Sequence, residues 1–350
     1  MDTMIADALA ALLADQCATD VVRSAEAGEP VEGLWRSIAQ AGFPDALVDE
    51  AHGGAGLTIE AASECWVLAG RHALPLPLSE TMFARALIAS AGLVAPEAPI
   101  ALGTGQRRQD GSVGCSNVVC ARTASWVLVS LDSETRLLAV SEASTQSCAF
   151  ELDLSLVWPA ASWQGATRLP ACIDTRLAQA LILSLQLAGA LDAVFQRTLA
   201  WANEREQFGK PIGKFQAIQH QLSLMAEDAF AARMAARIAC LPPPAGARPE
   251  GSALAGPLAG LDPLRIAVAK ARTSEAALQV AQIAHSVHGA IGFTREFDLQ
   301  LLTRRLHAWR QAAGSESAWH DALGRALLAS SSSLSLDVLR EATDVALPAH

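Results

Sequence analysis

An α+β chain, mostly α, is the fold class this sequence predicts, and three observations predict it. Residues 1–95 and the chain beyond about 174 carry apolar residues at helical spacing. The zone between them switches to short strand-like runs. Hydrophobic residues make up 51% of the 350 and charged residues 18%, enough to bury a large core and too apolar for global disorder. With roughly 100–200 residues per domain, the expected division is an N-terminal helical domain over 1–98, a small, reduced middle β domain over 99–170, and a C-terminal helical bundle over 171–335.

The first helices follow from Ile5, Leu9, Leu12 and Leu13, and then from Leu34, Ile38 and Ala41, all near a 3.6-residue period. The run His52-Gly53-Gly54-Ala55-Gly56 interrupts them, and Pro75-Leu76-Pro77 interrupts them again before a helix from about Ser79. In the middle zone Trp126–Leu131 and Arg136–Val140 are strand-like. Asp132-Ser133-Glu134-Thr135 reads as a four-residue hairpin loop between them. From Asp174 a stripe of Leu177, Leu181, Leu185, Ala188, Leu191, Phe195 and Leu199 marks a long amphipathic helix. A second spans about 215–240 with Leu222, Met225, Ala229 and Ala232 inward, a third about 263–287, and two more about 295–311 and 316–330. The Pro- and Gly-rich segment 241–262 reads as a flexible, dispensable linker.

Charge excludes some classes of function. The balance of 26 basic against 36 acidic residues gives −10, which argues against a nucleic-acid binder, because phosphate neutralisation needs a basic face. Seven scattered cysteines without a CxxC pair read as reduced thiols, and the first residues lack a basic signal region. Apolar runs are amphipathic or broken by charge, so no membrane span and a cytoplasmic location are expected. With no tyrosine in the chain, any mechanism needing one is ruled out.

Several motifs carry no chemistry. Gly209–Phe215 only loosely resembles a phosphate loop, with Phe215 where a hydroxyl would hold magnesium. His285 and His288 share a helix face but lack a third ligand at a recognisable spacing, so no metal is expected. The segment Trp201–His220 is more specific. A helix carrying Arg205 stops at Gly209-Lys210-Pro211 and a new helix opens at Phe215-Gln216. Such a bend can set an arginine and helix-terminal amides around an anionic group.

This segment closely resembles the Arg-x-x-Phe-Gly-x-Pro-Ile-x-x-Phe-Gln-x-x-Gln-His signature of the acyl-CoA dehydrogenase family. Val287–Glu296 and Leu302-Thr303-Arg304-Arg305 continue the resemblance, and His52–Leu57 is similar to the family's N-terminal turn. The resemblance implies an FAD-dependent flavoprotein that forms a 2,3-double bond in an acyl-CoA. It also implies a C-terminal four-helix bundle and an electron-accepting flavoprotein as partner. By position, Arg205, Phe208, Gln216 and Gly289 are its expected cofactor-binding residues.

Two departures shape the expected role. The family's two positions for the catalytic glutamate fall on Ala313 and Gln179, and neither can take a proton, so no catalytic residue is assigned. Glu316 lies close to Ala313, but an exposed acid at a helix N-terminus is its default reading. The strand and turn that cover the flavin ring have no clear counterpart; Trp126 reads as a packed core aromatic. The family's cross-interface glutamine and one of its glycines fall on Ser286 and Ala290. The chain therefore resembles the smaller, base-lacking subunits of heteromeric acyl-CoA dehydrogenases acting on bulky, steroid-type acyl-CoAs, completed by a homologous glutamate-bearing subunit. The alternative is an inactive relative with a purely assembly role.

Overall fold

The computed structural model describes residues 2–170, 173–242 and 261–329, so most of the expected linker 241–262 lies outside the described residues. Five helices open the chain: α1 (Asp2–Gln16), α2 (Thr19–Glu26), α3 (Glu32–Gln40), α4 (Ile59–Arg71) and α5 (Leu78–Ser90). Between α3 and α4 the glycine run makes a tight turn. A Cβ on Gly54 would sit 2.1 Å from the Val48 carbonyl oxygen, so only glycine fits there. Thr58 then caps α4, its Oγ1 accepting from the Ala61 amide at 3.2 Å.

The middle zone holds more strands than the sequence pattern reveals. Strands β1 (Ile100–Thr104), β4 (Trp126–Leu131), β5 (Glu134–Ala139) and β8 (Thr167–Leu169) form one sheet in the order β1-β4-β5-β8. Strands β2 (Gln106–Arg107), β3 (Val113–Val118), β7 (Leu154–Trp158) and β6 (Ser144–Ser147) form another, in the order β2-β3-β7-β6. β1 pairs parallel with β4, and every other pairing in the two sheets is antiparallel. A separate core of Val113, Val127, Val129, Leu156 and Trp158 is buried here. The expected four-residue loop is shorter: Leu131 pairs with Glu134, leaving Asp132 and Ser133 as the turn, with Asp132 at φ +54°. A short helix, α6 (Ala160–Gly165), lies between β7 and β8.

Helix α7 (Thr175–Glu204) is the axis of the C-terminal bundle. Asp174 caps it through Oδ1, 2.9 Å from the Leu177 amide. The expected single stripe proves too narrow: from Thr175 to Leu191 every residue except Arg176 is buried, including Gln179, Ser184 and Gln186. By length and apolarity this helix could cross a membrane, but 94% of its apolar window is inside the fold. A two-stranded hairpin of β9 (Glu206–Gln207) and β10 (Lys210–Pro211) leads to α8 (Gln216–Ala239). Then come α9 (Pro263–His288), α10 (Leu299–Gln311, four residues later than its expected start) and α11 (Glu316–Ala329). Helices α7 and α9 pack on each other and on both α8 and α10, and α11 packs on α9.

Helix α4 crosses α7 at two glycines. A Cβ on Gly70 would lie 1.9 Å from the Gln186 carbonyl oxygen, and one on Gly189 would lie 1.9 Å from that of Val67. The main core accordingly runs without a break from α1 through α4 and α5 into α7, α9 and α10.

Candidate functional site

The arginine motif folds as a strained hairpin at the end of α7. Arg205 leaves the helix in extended conformation, and its carbonyl accepts from the Ile212 amide at 2.8 Å. Phe208 and Gly209 form the two-residue turn, with φ of +53° and +79°. Positive φ at both positions suits the right-handed twist of a hairpin, and glycine meets that need freely. Phe208 does not, because a left-handed phenylalanine costs about 1–2 kcal/mol. Its ring is also 92% exposed. It touches the edge of the Phe215 ring at 6.2 Å, and Lys210 Nζ lies 4.3 Å from the Phe215 centroid.

The end of α9 faces this hairpin. Gly289, at φ +66°, terminates α9, and Ser286, Ala290 and Ile291 stand beside it. Between the two walls runs an open groove of about 580 Å³, lined on one side by Arg205, Phe208, Ile212 and Phe215. Trp201 closes its base by stacking on the His288 ring at 5.4 Å. Arg205, Phe208 and Gly289, predicted from distant parts of the sequence, thus meet in one groove, together with Ser286 and Ala290. Gln216 opens α8, is exposed, and is not part of the lining.

The two histidines are absorbed by packing. Burial pulls both below their ordinary value, His285 further through neighbouring His288 and His307. His285 Nε2 is 2.9 Å from Thr303 Oγ1 and its ring stacks on Phe293 at 4.4 Å, while His288 Nδ1 donates to the Ala284 carbonyl at 2.8 Å. Arg205 differs from every arginine of the bundle's ion-pair networks. Among the described residues its guanidinium has no ion pair and no side-chain hydrogen bond. Five donors on a solvent-facing groove wall are free to take a phosphate bidentately. With the apolar faces of Phe208 and Ile291 beside them, these residues fit the phosphate and adenine end of FAD. They do not supply a cover for the flavin ring. Trp126 is half-buried against the main core, as expected of a packing aromatic, and Trp158 and Trp163 are buried.

At the opposite end of α7 lies the turn that joins α10 to α11. Ala313 and Gly314 take φ of +57° and +106°. Arg176 Nε donates to the Ala313 carbonyl at 3.2 Å, and its guanidinium stacks 5.1 Å from the Trp319 ring centroid. From α9 the fully buried Lys270 donates through Nζ to the carbonyls of Arg310 and Gly314 at 3.0 and 3.1 Å and to Ser274 Oγ at 2.9 Å. Burial pulls the Lys270 ammonium down to about 7, with Arg310 and Arg176 adding to the fall and Glu316 opposing it.

Glu316 is not the exposed helix acid the sequence suggests. Its side chain is 24% exposed and ion-paired with Arg310. Burial pushes its carboxyl up, but its own amide, Arg310 and Lys270 outweigh burial and hold it below the ordinary range. A carboxylate so stabilised is a weak base. Gln179 is buried with its Nε2 unpartnered. Arg176 Nε and Lys270 Nζ are thus both engaged by the backbone around this turn. Neither cation was visible in the sequence, although the inward register of Ile266, Lys270 and Ala277 was a usable signal for a buried lysine.

With this geometry in place, three comparisons bear on the chain. Residues 175–328 match the family model described as the C-terminal domain of acyl-CoA dehydrogenase. The chain is 28% identical over 318 residues to acyl-CoA dehydrogenase IpdE2 of Mycobacterium tuberculosis, covering 88% of this chain and 91% of that protein. It is 26% identical to IpdE2 of Mycolicibacterium smegmatis, over 89% and 94% of the two chains. Its fold superposes with a TM-score of 0.78 on a chain of the ChsE4-ChsE5 complex of Mycobacterium tuberculosis, at 16% identity and over 95% and 98% of the chains. Residues 175–328 thus match the C-terminal domain of acyl-CoA dehydrogenase, and the chain as a whole is similar in sequence and fold to acyl-CoA dehydrogenases.

Proposed function

We propose that this chain is the non-catalytic subunit of a hetero-oligomeric, FAD-dependent acyl-CoA dehydrogenase that desaturates the 2,3-bond of a bulky, steroid-type acyl-CoA. One observation carries the reading: the Arg205 groove keeps an uncommitted guanidinium, while at the other end Ala313 and Gln179 cannot take a proton and Arg176 and Lys270 are engaged by backbone carbonyls. A pure scaffold has no physical need for the first, and a self-sufficient dehydrogenase cannot work with the second. The names of similar proteins point the same way. ChsE4-ChsE5 is a complex of two components, and Tcur3481-Tcur3483, whose chain aligns with a TM-score of 0.75, is described as a steroid ACAD.

In this reading Arg205 binds and orients a phosphate of FAD, Phe208 and Ile291 exclude water from one side of it, and the turn at Gly289 lets backbone approach closely. FAD, when bound, would supply the hydride acceptor, with an electron-accepting flavoprotein as the onward partner. The α-proton goes to a glutamate of a homologous partner subunit, since Gln179 and Ala313 cannot receive it. The setting is cytoplasmic.

The test is purification of this chain alone and with a co-expressed glutamate-bearing homologue, followed by flavin absorbance and turnover with short to steroid-bearing acyl-CoAs. Flavin retention and turnover are expected only in the pair. Robust turnover by the chain alone, abolished by Glu316→Gln, would overturn the reading.

A further inference from the structure

A turn of α7 before the Arg205 groove, and sharing no lining residue with it, a second cavity of about 670 Å³ opens where α1, α2, the end of α4, α7 and α10 meet. Its floor is Leu13, Cys17, Val22, Ala193, Leu301 and Leu302, all buried and apolar. Burial pushes the Cys17 thiol up to about 11, so the floor stays uncharged at neutral pH. All the charge is at the rim, on Arg71, Arg197, Asp192 and Asp298, with Arg23 reaching in from α2.

The rim charges do not balance. Arg71 is paired with Asp192. Asp298 must serve two guanidiniums: Arg23 holds its Oδ1 at 2.6 Å, which leaves Arg197 only a long contact of 3.5 Å to Oδ2. Three arginines face two carboxylates, and the surplus positive charge resides on Arg197. Two neutral donors stand beside it. The His72 ring has no hydrogen-bond partner among the described residues, and burial together with Arg71 and Arg197 keeps it neutral. Gln196, one residue before Arg197, is exposed at the same mouth.

From this arrangement we infer a binding site for an amphipathic monocarboxylate, its head on Arg197 and His72 and its aliphatic or alicyclic body on the Leu13–Leu302 floor. The size suits the class, because pockets for small organic ligands span about 300–1,000 Å³ and combine an apolar lining with a few directed polar groups. The sign of the head group follows from the charge count. A cationic amphiphile would meet the surplus arginine, and a neutral one would leave it unpaired. The site shares no residue with the Arg205 groove or the Ala313 turn, so it stands whether or not the proposed function does.

Titration calorimetry of the purified chain, together with its partner if one is needed for solubility, provides the test, with decanoate, decanol and decyltrimethylammonium as probes. Decanoate should bind at one saturable site, more tightly than decanol, with the cation not binding. Arg197→Gln should weaken decanoate about ten- to a hundredfold, the range for one hydrogen bond to a charged group, and leave decanol unchanged. Gln196→Glu, an exposed substitution that spares the fold, should weaken decanoate by placing a like charge at the mouth. Equal affinity for decanoate and decanol, or decanoate binding untouched by Gln196→Glu, would overturn the inference.

Discussion

The two ends of α7, about 45 Å apart at 1.5 Å per residue, use arginine in opposite ways. At the C-terminal end Arg205 stands uncommitted on an open groove beside an apolar side chain held in strain. At the N-terminal end Arg176, Lys270 and Arg310 are each committed to carbonyls, an aromatic face or a carboxylate. The first end keeps its donors for something that arrives; the second has spent them on its own backbone. Charge alone therefore does not mark a ligand site. The separating property is whether the folded chain has already satisfied it.

The committed end should break hardest. Lys270→Ala removes three hydrogen bonds and a buried stem, taking the lysine donor from the Gly314 carbonyl and leaving the Arg310 carbonyl only Ser274 Oγ at 3.4 Å. A loss of about 3–5 kcal/mol is expected, on the scale of breaking a buried polar network, read from the urea midpoint. A loss below about 1 kcal/mol would show the turn does not depend on it. Gly189→Ala should follow at about 3 kcal/mol, the upper range for overpacking, since the new methyl meets backbone that cannot rotate away.

The uncommitted end should respond in ligand binding and not in stability. Arg205→Ala is expected to weaken FAD retention in the assembled protein by about 1.5–3 kcal/mol while the thermal midpoint of the chain stays put. Phe208→Gly sharpens the contrast further. Relief of left-handed strain should stabilise the chain by up to about 1 kcal/mol, read from the thermal midpoint.

A pH dependence of stability comes from buried titratable groups, two of them outside both ends. Burial pushes Glu80 and Asp153 each up to about 7, from ordinary values of 4.5 and 3.8. The folded chain keeps these protons where the unfolded chain has lost them, so stability should fall as pH rises from about 4 to 7. Lys270 runs the other way. The folded chain releases its proton near 7 and the unfolded chain holds it until 10.5, so stability should recover above 7. Melts across this range on Glu80→Gln should lessen the slope of the acid limb, with Asp153 supplying what remains, and leave the limb above 7 unchanged.

Much of the fold was legible because the helices carry it. α8 and α9 lie within a residue or two of their periodic patterns, and the break at Gly53–Gly56 is where the glycines put it. The β zone was under-read because its strands are short or polar. β6 is exposed at all four residues and β2 has only two, so neither leaves an alternation to detect. The groove was legible as a motif, since Arg205 and Phe208 are neighbours in sequence. The Arg176 and Lys270 lock was not: Arg176 reaches a carbonyl 137 residues away, and no local period encodes that.

The glycine crossing of α4 and α7 sets a limit on how this chain can change. Every replacement of Gly70 or Gly189 adds at least a methyl, and each methyl meets a carbonyl of the opposite helix. No second-site shrinkage can compensate, because the obstacle is main chain, which no codon alters. The two positions are thus closed to stepwise drift, while residues such as Gln196 or Phe230, exposed on their helices, remain open to it. A laboratory lineage selected for a new partner or ligand should accumulate its changes around that crossing and leave both glycines untouched.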